Sequence, residues 1–321
     1  MKFDEVAQST TLPVLAAPLF LISNPDLVVA QCRAGVVGSF PALNARTTQE
    51  LDAWLVAILG ALTSDNPPFA VNLIVHRSNE RLKGDLEVCV RHHVPIVITS
   101  LGVQPEVIKA VHSYGGLVLH DVINDRFSRK AVCAGADGLI AVGAGAGGHA
   151  GAQSPFALVQ DIRSWFDGPL LLAGAIAHGR SILAAQVAGA NMAYIGSPFI
   201  ATQEAPATMP YKQMLIDSSA SDIVYTSALT GIPGNFLRGS LTAAGIDPDT
   251  LSDAEPVSLS TDSMGNSGPK PWRDLWGSGQ GVGLTKHVSP VEDLVAGWRA
   301  EYTEAQRIFR TMNEESRNEY W

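Results

Sequence analysis

Short apolar runs alternate with longer amphipathic ones along most of the chain. Val14 to Ala17, Gly35 to Phe40, Phe69 to Val75 and Pro95 to Thr99 carry almost no polar alternation, and neither do Gly116 to His120, Gly138 to Val142, Pro169 to Ala173 and Met192 to Gly196. Such runs predict strands buried on both faces, as in a parallel sheet. Between them the apolar residues recur at helical spacing. In 49–62, for example, Leu51, Trp54, Leu55, Ile58 and Leu59 share one face. Helices are expected over 24–34, 49–62, 79–91, 105–114, 125–134, 155–166 and 180–188.

Strand and helix thus alternate eight times, which predicts an α/β fold, a (β/α)8 TIM barrel. The rhythm stops near Ala207. Residues 1–206 are read as the barrel and 207–270 as a small, mainly helical cap over its mouth, with a helix over 208–220. Residues 222–237, DIVYTSALTGIPGNFL, contain turn residues and no barrel rhythm, and 245–270 are rich in Ser, Asp and Pro. Residues 271–321 are read as a glycine-rich segment returning to the site, then a long amphipathic helix, Val291 to Asn318, against the barrel.

Composition narrows the partners. A formal net charge of −9 and a pI near 5.3 argue against nucleic acid or an anionic membrane surface. No apolar run approaches a membrane span, and MKFDEVAQST does not read as a signal peptide. Three widely spaced cysteines, Cys32, Cys89 and Cys133, read as reduced packing residues of a cytoplasmic protein. No His/Cys/carboxylate spacing suggests a metal site.

In a barrel of this kind the chemistry sits in the loops after the strands. The loop after the sixth strand is GAGAGGHAGA, glycine and alanine around one ionisable side chain, His149. Gly147 and Gly148 leave no side chain between the backbone and a flat ligand. A histidine there is suited to proton transfer near neutral pH. The alternative is a flexible loop with an incidental histidine. Ala173, Gly174 and Ala175 after the seventh strand, and Gly196 and Ser197 after the eighth, precede helices whose amides could hold a phosphate, or could be ordinary tight turns. Pro18 closes the first strand. Asn72 ends the third, where its amide could meet a heterocycle edge or only form a turn. His120 and Asp121 end the fifth strand and are expected to point into the same mouth. His76, His92, His93, His112 and His287 read as solvated or helix-end residues, and His178 as a helix cap. The run 143–148 contains GxGxxG, but it lacks the lysine of a P-loop and the distal acid of a dinucleotide fold.

Four stretches together resemble the nitronate monooxygenase family, formerly the 2-nitropropane dioxygenases, and its flavin-dependent enoyl reductase relatives. They are AAPLF at Pro18, NLIV at Asn72, GADGLIAVGAGAGGHAG around His149, and LAGAIAHGRSILAAQVAGANMAYIGSPFIATQEA from Leu172 to Ala205. WGSGQGVGL, Trp276 to Leu284, is similar to the family's returning glycine segment. The resemblance implies a TIM barrel, a non-covalent FMN, a catalytic histidine at His149, and FMN contacts at Ala17, Asn72, Gly148, Gly174, Gly196, Ser197 and Gln280. Many relatives have GGIADG and GTRF where this chain has GAIAHG and GSPF. Ser197 keeps a hydroxyl, whereas Pro198 and Phe199 replace an arginine. The segment DIVYTSALTGIPGNFL has no counterpart in the resemblance.

The leading expectation is oxidation of an alkyl nitronate or nitroalkane by FMN and O2 to a carbonyl compound and nitrite. An NAD(P)H-dependent FMN reductase of enoyl thioesters or quinones is the alternative, and a flavin-free phosphate-sugar enzyme is a third. In each case the partner is a small molecule; a homodimer is left open.

Overall fold

The computed structural model describes residues 1–251 and 270–318. Eight apolar segments form parallel strands: β1 (Val14–Ala16), β2 (Gly38–Pro41), β3 (Phe69–Ile74), β4 (Ile96–Ser100), β5 (Leu117–Val122), β6 (Gly138–Val142), β8 (Leu170–Ala173) and β9 (Met192–Ile195). Their order is β1-β9-β8-β6-β5-β4-β3-β2. A parallel bridge between Leu15 and Val37 joins the two ends, so the sheet is a nearly closed barrel. Closure leaves no long exposed edge.

Helices separate the strands: α2 (Pro25–Arg33), α3 (Thr48–Ala61), α4 (Leu82–Arg91), α5 (Pro105–His112), α6 (Asp125–Cys133), α7 (Pro155–Arg163) and α8 (Gly179–Ala188). Their starts are set by local chemistry. The side chains of Asn24, Thr47 and Asn124 accept from backbone amides of α2, α3 and α6, satisfying donors that a helix start leaves open.

Strand alternation sorts the core into layers. Leu15, Val37, Ala70, Ile96, Ile98, Leu117, Leu119, Ile140, Leu171, Met192 and Tyr194 point inward and share one cluster. Their sequence neighbours, such as Val71, Val97, Val118 and Leu139, face the helices. The inner cluster also contains Phe3 and Val6 from α1 (Phe3–Ser9). This helix, not anticipated from the acidic start of the chain, seats two apolar residues among the inward ones nearest the strand starts.

The short α9 (Ser197–Ile200) follows β9. Among the described residues after Ala207, α10 (Met209–Asp217) and α11 (Arg238–Ala243) are joined by an antiparallel hairpin of β10 (Ile223–Thr226) and β11 (Gly234–Leu237), which the sequence reading did not include. The turn residues between the two strands hid the hairpin, and β11 shows no polar alternation with solvent because it is buried along its whole length. The expected Ser/Asp/Pro-rich stretch lies mostly outside the described residues. One expectation needs correction. Cys133 is exposed, unlike Cys32 and Cys89, which are buried. Burial pushes the Cys32 thiol up to about 12, as expected of a packing residue.

The last helix, α12 (Val291–Asn318), lies against α8. The Trp298 indole N–H donates to the Ala177 carbonyl at 3.1 Å, and the Glu301 carboxylate accepts from Gly179 at 2.8 Å. A Cβ on Gly179 would stand 2.2 Å from the Tyr302 amide nitrogen. Gly179→Ala is therefore expected to force the two helices apart. The overpacking cost is about 1–3 kcal/mol, to be read as a lower urea midpoint at unchanged m-value.

Candidate active site

The loop after β6 is the centre of the barrel mouth. It is held by backbone partners, not by its own side chains. Ala144 donates to the Gln153 carbonyl at 2.7 Å and Gly151 to Val142 at 3.3 Å. Gly148 and His149 form a two-residue strand, β7 (Gly148–His149), paired antiparallel with Gly234 and Asn235 of β11. The Asn235 side-chain amide donates to Ala146 at 2.6 Å, and the Tyr225 hydroxyl to Ala150 at 3.1 Å. The hairpin without barrel rhythm thus fixes the histidine.

His149 is half-buried, and its Nε2 is sealed from solvent with no hydrogen-bond partner. Its ring meets Trp272 edge-on, centroids 5.3 Å apart, and Trp272 stacks on Phe236 at 4.6 Å. Burial drives the imidazole pKa down to about 4. The ring is therefore neutral at pH 7. Trp272 has a φ of +67°, uncommon for a bulky side chain, so the surrounding contacts hold it there against backbone preference. Sequence reasoning did not single out Trp272, Asn235 or Tyr225. The hairpin signal, a polar turn between apolar runs 223–226 and 234–237, was present but resembled a loop.

The returning segment closes on the loop as expected. The Gln280 backbone N–H donates to the Gly145 carbonyl at 2.9 Å, and the Gly279 backbone N–H donates to the Ser197 hydroxyl at 2.8 Å. A Cβ on Gly147 would lie 2.9 Å from the Gly279 nitrogen, and one on Gly279 2.6 Å from the Gly145 carbonyl. Two glycine runs meet backbone to backbone because neither carries a side chain there. Ala175, after β8, takes a φ of +53° and donates to Gly145 at 3.2 Å. Gly174, at φ +139°, is pressed against the Ala144 carbonyl, while Gly196 faces Ala17. Gly147, Ala175, Ser197 and Gln280 are thereby brought together.

The inner rim below carries polar groups. Asn72, Ser100 and Asp121 form a chain: Asn72 Nδ2 donates to Ser100 Oγ at 2.7 Å, and Ser100 Oγ donates to Asp121 Oδ2 at 2.6 Å. His120 is not part of it. Successive strand residues face opposite sides, so Asp121 points inward and His120 toward the helix layer. There the His120 ring is bonded to the Thr99 hydroxyl at 2.6 Å and kept neutral by burial, with its pKa near 4. The expectation that both enter the mouth fails for His120.

Residues 5–296 match the family model for nitronate monooxygenase. The chain belongs to the nitronate monooxygenase family. Within that family it is an oxidoreductase whose cofactor is a flavin. A nitronate monooxygenase of Paraburkholderia phytofirmans is 26% identical over 88% of this chain and 90% of its own length. A Mycobacterium tuberculosis protein with a monooxygenase name is 31% identical, and there the match spans only 55% of this chain and 48% of that protein. Among solved structures, nitroalkane oxidase from Streptomyces ansochromogenes superposes with a TM-score of 0.81 at 25% identity, covering 95% of this chain and 99% of that one. FabK from Thermotoga maritima gives 0.79 at 25% identity, covering 97% and 99%.

The mouth fits a planar heterocycle with polar edges. Small residues, Ala17, Ala173, Gly174, Ala175 and Gly196, stand at or just after the ends of β1, β8 and β9, and two polar atoms sealed from solvent, His149 Nε2 and Asp121 Oδ1, lack partners. A Cβ on Gly148 would meet open space. The expected pair of helix N-termini for a phosphate is only half present. The first amides of α8 are taken: Gly179 by Glu301, and Arg180 by His178 Nδ1 at 3.0 Å. What remains for an anion is the turn after β9, where the Ser197 hydroxyl accepts from Gly279 and keeps its own proton to donate. No group of three or more His, Cys, Asp or Glu residues that could hold a metal occurs among the described residues. Among those same residues no helix is long and apolar enough to cross a membrane.

Two outcomes are expected. Asn235→Ala leaves the Ala146 carbonyl without its partner, at a cost of about 1–3 kcal/mol, and faster amide exchange at Gly148 and His149 reports it. The His149 ring should titrate near 4 in imidazole 15N spectra, well below the ordinary imidazole value of about 6.5. By linkage its contribution to stability is present above its unfolded pKa of about 6.5 and is lost as pH falls toward 4.

Proposed function

We propose that this chain is an FMN-dependent nitronate monooxygenase, oxidising alkyl nitronates or nitroalkanes with O2 to carbonyl compounds and nitrite. The observation that carries the reading is the sealed, unpartnered Nε2 of His149 above a mouth lined with small residues. Residues 1–206 are taken as the cofactor barrel, 207–270 as a cap over it, and 271–321 as the returning segment and outer helix. The residues that would hold the cofactor are Ala17, Pro18, Asn72, Asp121, Gly147, Gly148, Ala173 to Ala175, Gly196, Ser197 and Gln280. Bound there, FMN supplies the electron acceptor for the substrate carbon and the route to O2.

The chain's own residues handle the proton and the positioning. A neutral imidazole with a free Nε2 can accept the α-proton of a nitroalkane. It cannot offer a full positive charge to an anionic nitronate, so the general-base role is the better supported of the two. Trp272, Phe236 and Tyr225 cover the histidine and limit water around it, which strengthens polar contacts inside the site. The match to nitroalkane oxidase supports the substrate class.

His149→Ala should retain FMN and lose about 10²–10⁴-fold in kcat/KM for a neutral nitroalkane, while a pre-formed nitronate is turned over with a much smaller loss. Equal losses on both substrates would remove the base assignment. Anaerobic mixing separates this reading from the competing reductase of enoyl thioesters or quinones. Flavin bleaching by nitronate and not by NADH or NADPH is expected, and rapid bleaching by a nicotinamide would reverse the choice.

A further inference from the structure

A carboxyl group on the inner face of a barrel loses hydration that only partners can replace. Asp121 has half of what it needs. Its Oδ2 accepts from Ser100, which is itself held by Asn72 Nδ2. Its Oδ1 is sealed from solvent and has no partner. Asn72 is anchored in turn, since Nδ2 also donates to the Ile98 carbonyl at 3.2 Å. Asp85 also keeps one buried oxygen unpartnered, but its other oxygen is ion-paired with Arg81 at 3.0 Å, a compensation Asp121 lacks among the described residues. At Asp121 two residues, from the two strands before β5, orient one carboxyl and leave its second oxygen open.

Among the described residues no cation pairs with Asp121. Ser100 faces it from β4, with Asn72 beyond on β3, and Ile140 and Val142 line the neighbouring β6. Tyr194 reaches it from β9 across the barrel, near enough for the Asp121 charge to help raise the phenol pKa. His120, and Lys130 which acts on it, lie behind the strand on the helix side. Burial raises the Asp121 pKa to about 7.

We infer that Asp121 is a second cofactor-facing group of this mouth: Oδ1 contacts the flavin from the barrel floor, and the charge on Asp121 sets the cofactor's reduction potential. The inference rests on the flavin reading above. His149 and Asp121 then divide the labour. The histidine, held by the cap, handles the substrate proton. The acid, held by the barrel, acts on the ring. A carboxylate near a ring that gains electrons disfavours reduction, whereas the neutral acid does not and can donate a hydrogen bond.

The test is spectroelectrochemical titration of the FMN-loaded protein and its Asp121→Asn variant at about pH 5.5 and about pH 8.5, either side of the Asp121 transition. Asparagine keeps an oxygen for Ser100 and cannot ionise. The variant should match the wild type at the lower pH and have the higher midpoint potential at the upper one. A flavin-loaded variant with unchanged potential at both values overturns the inference and leaves the functional reading intact. Wild-type protein that takes up no FMN overturns both. Should the variant not fold, infrared spectra of the wild type decide. A protonated-carboxyl band that shifts on FMN uptake and disappears at the upper pH supports the assignment, and a band indifferent to FMN overturns it.

Discussion

Everything at the mouth depends on a short antiparallel pairing, Gly234 and Asn235 of β11 against Gly148 and His149 of β7. A run of glycine and alanine has high conformational entropy and no side chains to anchor it. It becomes a defined surface only when another segment supplies hydrogen-bond partners. Here the hairpin supplies them from one side and the returning segment, through the Gln280 backbone amide, from the other. The loop is therefore ordered in large part by hairpin residues 75 or more positions later, and its histidine inherits their geometry.

Burial then acts on two ionisable groups in opposite chemical directions but toward the same electrical state. It lowers the pKa of His149 and raises that of Asp121, so both are favoured in their neutral forms. The consequences for stability oppose one another. The contribution of Asp121 is fully present below its unfolded pKa near 3.8 and is lost as pH rises through about 7. That of His149 is lost as pH falls toward 4. The two trends overlap in the weakly acidic range, so global stability there is a poor reporter of either group. Signals from the individual side chains are the informative ones.

The sequence carried much of this in readable form. Eight apolar runs separated by amphipathic helices suffice for the barrel, because a strand buried on both faces has no reason to alternate. The glycine loop, His149, Asn72 and the two turns after β8 and β9 stood out as candidates for the same reason: polar or glycine residues at the ends of apolar strands. Strand alternation could also have separated His120 from Asp121, which one residue places on opposite faces. The first α8 amides are not free for an anion, since Glu301, 122 residues away, takes that of Gly179 and His178 takes that of Arg180.

By itself, then, the chain determined the barrel, the position of its mouth and the chemical identity of the groups around it. These follow from periodicity and side-chain chemistry, which are local. Tertiary structure alone decided which segment orders the glycine loop, which amides are already occupied, and that Asp121 and His149 each keep one buried atom unpaired. Those are properties of long-range contacts, and no window of sequence contains both partners.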